Sequence, residues 1–191
     1  LAGDPRLLIA DEPTTALDVT IQAQVLDLLA ELQARRGMGM LLITHDLGVV
    51  SRMAHQVGVM YAGELVETGD RDDFFGTPLH PYSLKLFAAL PTPELRGRPL
   101  ETITGQVPRP GERLPGCRFA ERCPAAFDRC DEEVPVWHAV GTQAVRCHLY
   151  EGVAIPRRFV REIIRARTIS RGIRASPGRA PRYSGETRRA I

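Results

Sequence analysis

The sequence predicts an α/β fold with parallel strands and an edge hairpin, followed by a small irregular cysteine-rich extension. Two apolar runs, Leu7 to Ala10 and Met40 to Ile43, have the length and composition of buried parallel strands, and a helical segment separates them. Further along, Val57 to Met60 and Glu64 to Glu67 flank Tyr61-Ala62-Gly63, which is typical of a hairpin with a glycine turn.

The first strand is followed directly by two acids, Asp11 and Glu12. Asp18 or Thr20 can cap the helix that comes next, and Gly37 is expected to end it after two arginines. The apolar residues of this helix recur with helical spacing and form one stripe, made of Ile21, Val25, Leu28, Leu29 and Leu32.

The second strand ends in Thr44, His45 and Asp46, and a second helix is expected from Leu47 to about Ala54. Strand, helix and strand in this order predict a parallel α/β unit. The hairpin then adds strands at the edge of the sheet, and the core fold is expected to end near Ala89.

Beyond Leu90 proline and glycine are too frequent for regular structure, and this linker leads into four cysteines between residues 117 and 147. Charge is distributed unevenly, because residues 1–152 carry 14 basic and 21 acidic groups whereas residues 153–191 carry 11 and 2. The arginine-rich tail is expected to be disordered, although Phe159 to Ile169 can form a basic helix, and it is assigned no function.

The chain has no run that approaches the roughly 18 to 20 uncharged apolar residues needed to cross a bilayer. Its start, LAGDPRLLIADEP, lacks the features of a secretion signal. Four cysteines without such a signal indicate a reducing compartment, where grouped thiols are more often metal ligands than disulfides. The cytosol is therefore the expected location, and a membrane role has to act through a partner.

Paired acids at the end of a buried strand suit phosphoryl transfer. One carboxylate can hold a hard cation such as Mg²⁺, and the adjacent one can orient and deprotonate a water molecule. Taken alone, such a pair more often marks a solvated strand end that leads into a turn.

Three ordered motifs, LLIADEP, TTALD and LLITHD, resemble the ATP-binding-cassette (ABC) ATPase family. Leu7 to Glu12 matches the Walker B strand, Thr14 to Asp18 matches the D-loop, and His45 matches the switch histidine. The resemblance implies the C-terminal part of a P-loop (RecA-like) nucleotide-binding domain that uses ATP and Mg²⁺.

The resemblance also implies a role for each matched residue. Asp11 would reach Mg²⁺ through water, Glu12 would be the catalytic base, and His45 would contact the γ-phosphate and the attacking water. Asp18 would act across a dimer of two such subunits.

Two further segments resemble the ATPases of oligopeptide, dipeptide and nickel importers. The first is TPLHPYSLKLFAALPTP, where Pro81 is expected in the first turn of a helix and His80-Pro81-Tyr82 has no expected catalytic role. The second, GCRFAERCPAAFDRC with RCHL, resembles the C-terminal extension of those ATPases, in which four cysteines can hold a [4Fe–4S] cluster.

By that resemblance the ligands of a cluster are Cys117, Cys123, Cys130 and Cys147. Zinc is the next choice, and free thiols in a small appendage are the remaining alternative. His138 and His148 are then expected to be ordinary polar residues, and Trp137 is expected to serve packing.

These resemblances divide the chain into three expected parts. Residues 1–90 form the C-terminal part of the nucleotide-binding domain, residues 91–152 form the oligopeptide/dipeptide-transporter extension with its four cysteines, and residues 153–191 form the arginine-rich tail.

The resulting hypothesis is a fragment of the ATP-hydrolysing subunit that energises peptide import, held peripherally at the cytoplasmic face of the plasma (inner) membrane. Its expected partners are a second ATPase subunit, the transmembrane permease subunits and, indirectly, an extracytoplasmic peptide-binding protein, with no specific nucleic acid. Residues 1–191 contain neither a G-x-x-x-x-G-K-[ST] loop nor an ABC signature loop, so this chain alone is expected not to turn over ATP.

Two alternatives stay open at this point. ABC-type ATPases of DNA repair and chromosome maintenance share these motifs, and in such a protein the basic tail would bind DNA. Otherwise the ATPase half is a non-catalytic remnant, and the cysteine segment acts as a metal-binding or interaction module.

Overall fold

The structure, a computed structural model, describes residues 5–90 and 102–151. Its helices and strands, in chain order, are β1 (Leu7–Asp11), α1 (Val19–Arg36), β2 (Gly39–Ile43), α2 (Leu47–Met53), β3 (Gln56–Tyr61), β4 (Glu64–Asp70), α3 (Arg71–Gly76), α4 (Pro81–Ala88), α5 (Asp128–Glu132), β5 (Trp137–Val140) and β6 (Gln143–Arg146). The expected tail, including residues 159–169, lies outside the described residues. In the described ranges, every helix is too short or too polar to cross a membrane.

The parallel α/β unit is present as predicted. β1 pairs with β2 in parallel, from Leu7 opposite Gly39 to Asp11 opposite Ile43, and α1 connects them. The Asp18 side chain accepts hydrogen bonds from the first backbone amides of α1, and Gly37 closes this helix in the left-handed conformation with φ 59°.

Burial of this unit differs from the expectation. β1 was expected to be fully buried, yet Ile9 is 61% exposed and Leu41, its partner in register, is 51% exposed. The expected helical stripe is not buried either, because Leu28 is exposed and Leu26, outside the stripe, is the buried residue of α1. The physical reason is that the described residues pair β1 with β2 alone, and nothing among them covers the outer face.

The second sheet has four antiparallel strands in the order β3, β4, β6, β5. The predicted hairpin is confirmed: Tyr61 pairs with Glu64, and Ala62 and Gly63 form the two-residue turn with φ 48° and 83°. Positive φ at both turn residues matches the right-handed twist of the strands. β4 then pairs with β6, so the hairpins β3–β4 and β5–β6 share one sheet.

An aromatic core covers this sheet. Its buried members are Val57, Val59, Tyr61, Val66, Phe74, Phe75, Phe87 and Phe119. Ring centroids of Phe74, Phe75 and Phe87 lie 5.3 to 5.4 Å apart in tilted or edge-on arrangements, which are favourable for aromatic pairs. The sheet is therefore backed by packing that the β1–β2 unit lacks.

Two side-chain expectations, for Trp137 and His148, were wrong. Trp137 was expected to serve packing, but it lies at the start of the edge strand β5 and is 45% exposed. His148 was expected to be an ordinary polar residue and is instead buried in the 3-10 turn that follows Cys147, since this turn packs against the cysteines.

Candidate functional site

Polar residues of β1 and β2 meet where the two parallel strands end. Asp11 is the last residue of β1 and lies opposite Ile43, the last residue of β2. The backbone N–H of Glu12 donates to the carbonyl of Ile43 at 2.8 Å, which extends the ladder by one residue. His45 follows two residues later, and its Nδ1 lies 2.7 Å from Oε1 of Glu12.

Glu12 is held in an unusual backbone conformation. Its φ is 48°, in the left-handed region that residues other than glycine seldom adopt. The turn that follows stabilises this conformation, because the Thr15 N–H donates to the carbonyl of Glu12 and the Thr15 hydroxyl donates to Oε2 at 2.8 Å. Both carboxylate oxygens of Glu12 therefore have partners, and its side chain is directed towards His45.

The Glu12–His45 contact changes the acidity of both groups. The hydrogen bond from His45 lowers the pKa of Glu12, and the Thr15 hydroxyl lowers it further. The same hydrogen bond raises the pKa of His45 above its ordinary value. The pair thus favours an ionised carboxylate beside a protonated imidazole, and both side chains remain open to solvent.

Asp18 and Asp46 have structural roles at this edge. Asp18 caps α1 through its Oδ1 and is not part of the Glu12–His45 pair. Asp46 caps α2 and accepts a hydrogen bond from Gln22 Nε2 of α1 at 3.2 Å, which ties the two helices together. The contact of Thr15 with Glu12 had not been inferred from the sequence, since a hydroxyl three residues after an acid is a weak signal.

The four cysteines line one cavity in the second half of the chain. Cys117 precedes a 3-10 turn, Cys123 follows it, Cys130 lies in α5, and Cys147 follows β6. His80, Phe119 and His148 are among the other lining residues. Residues that are far apart in sequence thus face a common space.

Gly116 allows two of these cysteines to approach each other. A Cβ atom at this position would lie 2.2 Å from the carbonyl oxygen of Cys130, which no side chain could tolerate. The next residue, Cys117, donates its backbone N–H to that same carbonyl at 2.7 Å. A glycine before Cys117 is therefore needed for the backbone contact that closes the cavity.

Burial favours the protonated form of three of these thiols, those of Cys117, Cys130 and Cys147. It raises the pKa of Cys147 to about 12, with smaller contributions from the three other cysteines, and it also raises the pKa of Cys117 and Cys130. Among residues 5–90 and 102–151, no group of three or more His, Cys, Asp or Glu side chains is arranged to hold a metal ion. Any metal group would have to displace thiol protons on binding.

Comparisons with known proteins agree on one family. The model of the family described as "Oligopeptide/dipeptide transporter, C-terminal region" matches residues 66–130. The oligopeptide transport ATP-binding protein AppD of Bacillus subtilis is 52% identical over 153 residues, and the dipeptide transport ATP-binding protein DppD of Escherichia coli is 50% identical over 150. Over about three quarters of its length the chain is similar to the ATP-binding proteins of oligopeptide and dipeptide transporters.

The similarity covers part of each relative. The alignment with AppD covers 79% of this chain and 46% of AppD, and the alignment with DppD covers 78% and 46%. The chain thus spans about half the length of the curated relatives it matches. A solved structure of cbiO1 from Clostridium perfringens, described as part of the ABC transporter complex cbiONQ, has 33% identity over 38% of this chain and 29% of its own, with a TM-score of 0.36. These relatives give no support to the DNA-maintenance alternative.

In the region matched by the family model, a buried carboxylate links β4 to the start of α4. Glu67 is fully buried, and its two carboxylate oxygens accept the backbone N–H groups of Leu79 and His80, each at 2.8 Å. Gln143 of β6 lies 3.4 Å from the same carboxylate. Burial raises the pKa of Glu67, and the two backbone hydrogen bonds oppose that rise. No sequence pattern had indicated Glu67.

The family's His80-Pro81-Tyr82 segment forms the predicted helix entry. Pro81 occupies the first turn of α4, and His80 is the N-cap, with Nδ1 accepting the Tyr82 N–H at 3.1 Å. Burial lowers the pKa of His80 to about 3, so its ring is neutral. The imidazole is 1% exposed and lines the cysteine cavity.

Proposed function

We propose that this chain is the C-terminal part of an ATP-hydrolysing subunit that energises peptide import through an ABC transporter. The observation that supports this most strongly is the 2.7 Å contact between His45 and Glu12 at the carboxyl ends of two parallel strands. Relatives with 52% and 50% sequence identity that are named as oligopeptide and dipeptide transport ATP-binding proteins support the same function.

In this proposal Glu12 acts as the base that orients and deprotonates water. Its carboxylate is ionised because the His45 and Thr15 hydrogen bonds lower its pKa. Asp11, the adjacent strand-end carboxylate, would hold Mg²⁺ through water, and Mg²⁺ when bound would neutralise charge on the phosphates.

His45 would contact the γ-phosphate of ATP. Its Nδ1 is already engaged with Glu12, so a phosphate oxygen would have to meet Nε2. Nε2 carries a proton at the same time as Nδ1 only in the imidazolium form, and Glu12 favours that form by raising the pKa of His45. Asp18, which caps α1, would lie beside a second ATPase subunit.

The exposed apolar face of β1–β2 supports a larger domain. Leu7, Ile9, Leu41 and Ile43 all lie on one side of this sheet and are exposed. Residues 1–90 would therefore complete a P-loop nucleotide-binding domain together with a segment that supplies the phosphate-binding and signature loops. Residues 91–152 would be its extension and residues 153–191 a tail.

The first step of the test is to read the coding DNA in frame upstream of the codon for Leu1 and to produce the extended subunit that it encodes. ATP turnover of this subunit is then compared with that of its Glu12→Gln variant. The expected result is ATP binding in both proteins and at least roughly a hundredfold lower turnover in the variant, as for removal of a general base. Glu31→Gln is the matched control, since Glu31 is an exposed acid of α1 that pairs with Arg35. Equal turnover in the Glu12 and Glu31 variants would contradict the proposal, and absence of turnover in the unsubstituted subunit would favour a non-catalytic remnant.

We also propose that the cysteine cavity holds a [4Fe–4S] cluster. The four cysteines line one cavity, and four thiolates are the donor set of such a cluster, but the described side chains are not arranged around a metal ion, so binding would have to draw the cysteines together. Zinc is the second choice. Anaerobic reconstitution with iron and sulfide should give about four iron per chain, and Cys130→Ser should reduce that content, whereas binding of one zinc ion alone would favour the alternative.

The remaining parts of the proposal concern location and partners. The subunit would lie at the cytoplasmic face of the plasma (inner) membrane, bound to transmembrane permease subunits, with a peptide-binding protein on the other side. Co-purification of the extended subunit with its permease subunits from membranes is the direct test, and recovery of the extended subunit only in the soluble fraction would contradict this part.

A further inference from the structure

The proposed catalytic pair depends on contacts outside the pair itself. Nδ1 of His45 lies 2.7 Å from the Glu12 carboxylate, yet the His45 side chain is 80% exposed and the Glu12 side chain is 37% exposed. A contact between two solvent-exposed side chains contributes little stability and does not by itself fix their relative position. Other contacts must therefore fix the two segments that carry these side chains.

Asp46, the residue after His45, fixes one of these segments. Its Oδ1 accepts the backbone N–H groups of Gly48 and Val49 at the start of α2, at 2.8 and 3.3 Å. Its own backbone N–H donates to the hydroxyl oxygen of Thr44 at 3.1 Å. His45 thus lies between two residues that are bound to each other, and the position of its ring follows the position of Asp46.

A glutamine of α1 connects Asp46 to the segment that follows Glu12. Nε2 of Gln22 donates to Oδ2 of Asp46 at 3.2 Å, in partly buried surroundings. The backbone N–H of Gln22 donates to the carbonyl of Asp18, the cap of α1, at 2.8 Å. A short turn separates Glu12 from Asp18, so Gln22 joins the two segments whose side chains meet in the Glu12–His45 contact.

We infer that Gln22 is a positioning residue of the proposed catalytic pair, because its hydrogen bond to Asp46 keeps the His45 ring in contact with the carboxylate of the pair. The inference rests on the proposed function. A second contact between α1 and α2, the exposed ion pair of Asp27 with Arg52, lies in the last turn of α2 and so farther along the chain from His45. A displacement of about 1 Å at a reacting group can reduce a rate by up to about a hundredfold.

Three substitutions separate this role from a general contribution to α1. Leucine, lysine and glutamate have helix propensities close to that of glutamine, so each can replace Gln22 with little change in helix stability. Gln22→Leu removes the donor, Gln22→Lys restores a donor, and Gln22→Glu places a negative charge beside the Asp46 carboxylate. Gln24→Leu is the matched control, because Gln24 is an exposed glutamine of the same helix.

The experiment measures ATP turnover of the extended subunit over a range of ATP concentrations. In Gln22→Leu we expect kcat to fall about tenfold with an unchanged KM, since the displaced group acts in the reaction step and not in ATP binding. Gln22→Lys should recover most of the turnover, Gln22→Glu should lose at least as much as Gln22→Leu, and Gln24→Leu should keep full turnover. In a His45→Ala background, followed over a single turnover, Gln22→Leu should cause no further loss, because the group that Gln22 positions is absent.

Each outcome has a separate meaning. Equal kcat in Gln22→Leu and Gln24→Leu would overturn the inference and leave the proposed function standing. An equal loss from Gln22→Leu with and without His45 would also overturn it, since the effect would then not pass through that side chain. Absence of turnover in the unsubstituted subunit would overturn both. If Gln22→Leu does not fold, Gln22→Lys and Gln22→Glu decide, and equal kcat in those two variants would refute the inference.

Discussion

The two sheets of this protein differ in how completely the described residues cover them. The β1–β2 unit buries Ala10, Leu26, Met38 and Val49, and it leaves Leu7, Ile9, Leu41 and Ile43 exposed on one face. The four-stranded sheet is backed by an aromatic core and by the cysteine cavity. Among the described residues, the sheet that carries the proposed catalytic residues thus has an open apolar face, whereas the sheet that carries the cysteines has a core of its own.

The largest expected effect is in the aromatic core. Replacing Phe87 by Ala should lower the free energy of unfolding of the four-stranded sheet by about 3 to 5 kcal/mol, because it removes a fully buried ring and leaves a cavity. Denaturant unfolding followed by fluorescence of Trp137, the sole tryptophan of the chain, measures this region specifically. Ile9→Ala, at an exposed position of β1, should change that transition by less than about 0.5 kcal/mol. Equal losses in the two variants would mean that the sheets unfold as one unit.

The next largest expected effect is a loss of folding stability at low pH, caused by His80. Its pKa is about 3 in the folded chain and ordinary in the unfolded chain, so between these values the unfolded state binds more protons. Stability should therefore fall as the pH is lowered below about 6.5, by up to about 1.4 kcal/mol per pH unit. His80→Asn should remove this dependence.

Glu67 acts in the opposite direction, which makes a difference measurement necessary. Its pKa is raised on folding from 4.5, so its contribution is present at low pH and is lost as the pH rises through the folded-state pKa. Urea denaturation from about pH 4 to pH 8 gives the free energy of unfolding of the unsubstituted chain and of His80→Asn. The difference between these two free energies at each pH is the contribution of His80. A pH-independent difference would contradict the assigned burial of this ring.

A smaller effect is expected on self-association. The double substitution Ile9→Ser, Leu41→Ser places two hydroxyls side by side on the open face of β1–β2 and should reduce association, as seen by sedimentation velocity, with little loss of stability. Val107→Ser, at an exposed apolar residue outside both sheets, is the matched control and should have no effect. Unchanged association in the double variant would show that this face does not mediate self-association.

The smallest expected effect is a change in the titration of His45. Its pKa, measured by NMR from the imidazole Cε1–H signal, should lie above 6.5 in the unsubstituted chain and fall in Glu12→Gln, since a neutral amide no longer favours the imidazolium. Thr15→Ala should lower it much less, because Thr15 contacts Glu12 and not His45. Identical titration in the first variant would exclude the hydrogen bond between Glu12 and His45.

Local patterns predicted much of this structure. The strand β1, the helix α1 with its Asp18 cap and Gly37 end, and the turn at Ala62-Gly63 all follow from short-range chemistry, and each is present. Burial was predicted less well. Ile9 has the composition of a core residue, but its exposure depends on which other segments cover the sheet, and no local pattern contains that information.

The sites were predictable to different degrees. Glu12 and His45 follow two parallel strands in register, so their proximity could be expected from the motifs. Glu67 could not be found, because a single acid in a strand gives no sign that it will be buried against two backbone amides twelve and thirteen residues away. The burial of His80 beside the cysteines likewise depends on contacts that only the folded chain provides.

Pairing of β4 with β6 has a consequence for how the protein is made. β4 leaves the ribosome long before β6. Until β6 has been synthesised, Glu67 has no contact with Gln143, and the edge of β4 that pairs with β6 is open to water. Cys147 is the last of the four cysteines to be synthesised and directly follows β6. The cavity can therefore be completed only after the sheet has closed, so a chain whose synthesis stops early is left with an unpaired strand edge and an incomplete set of thiols.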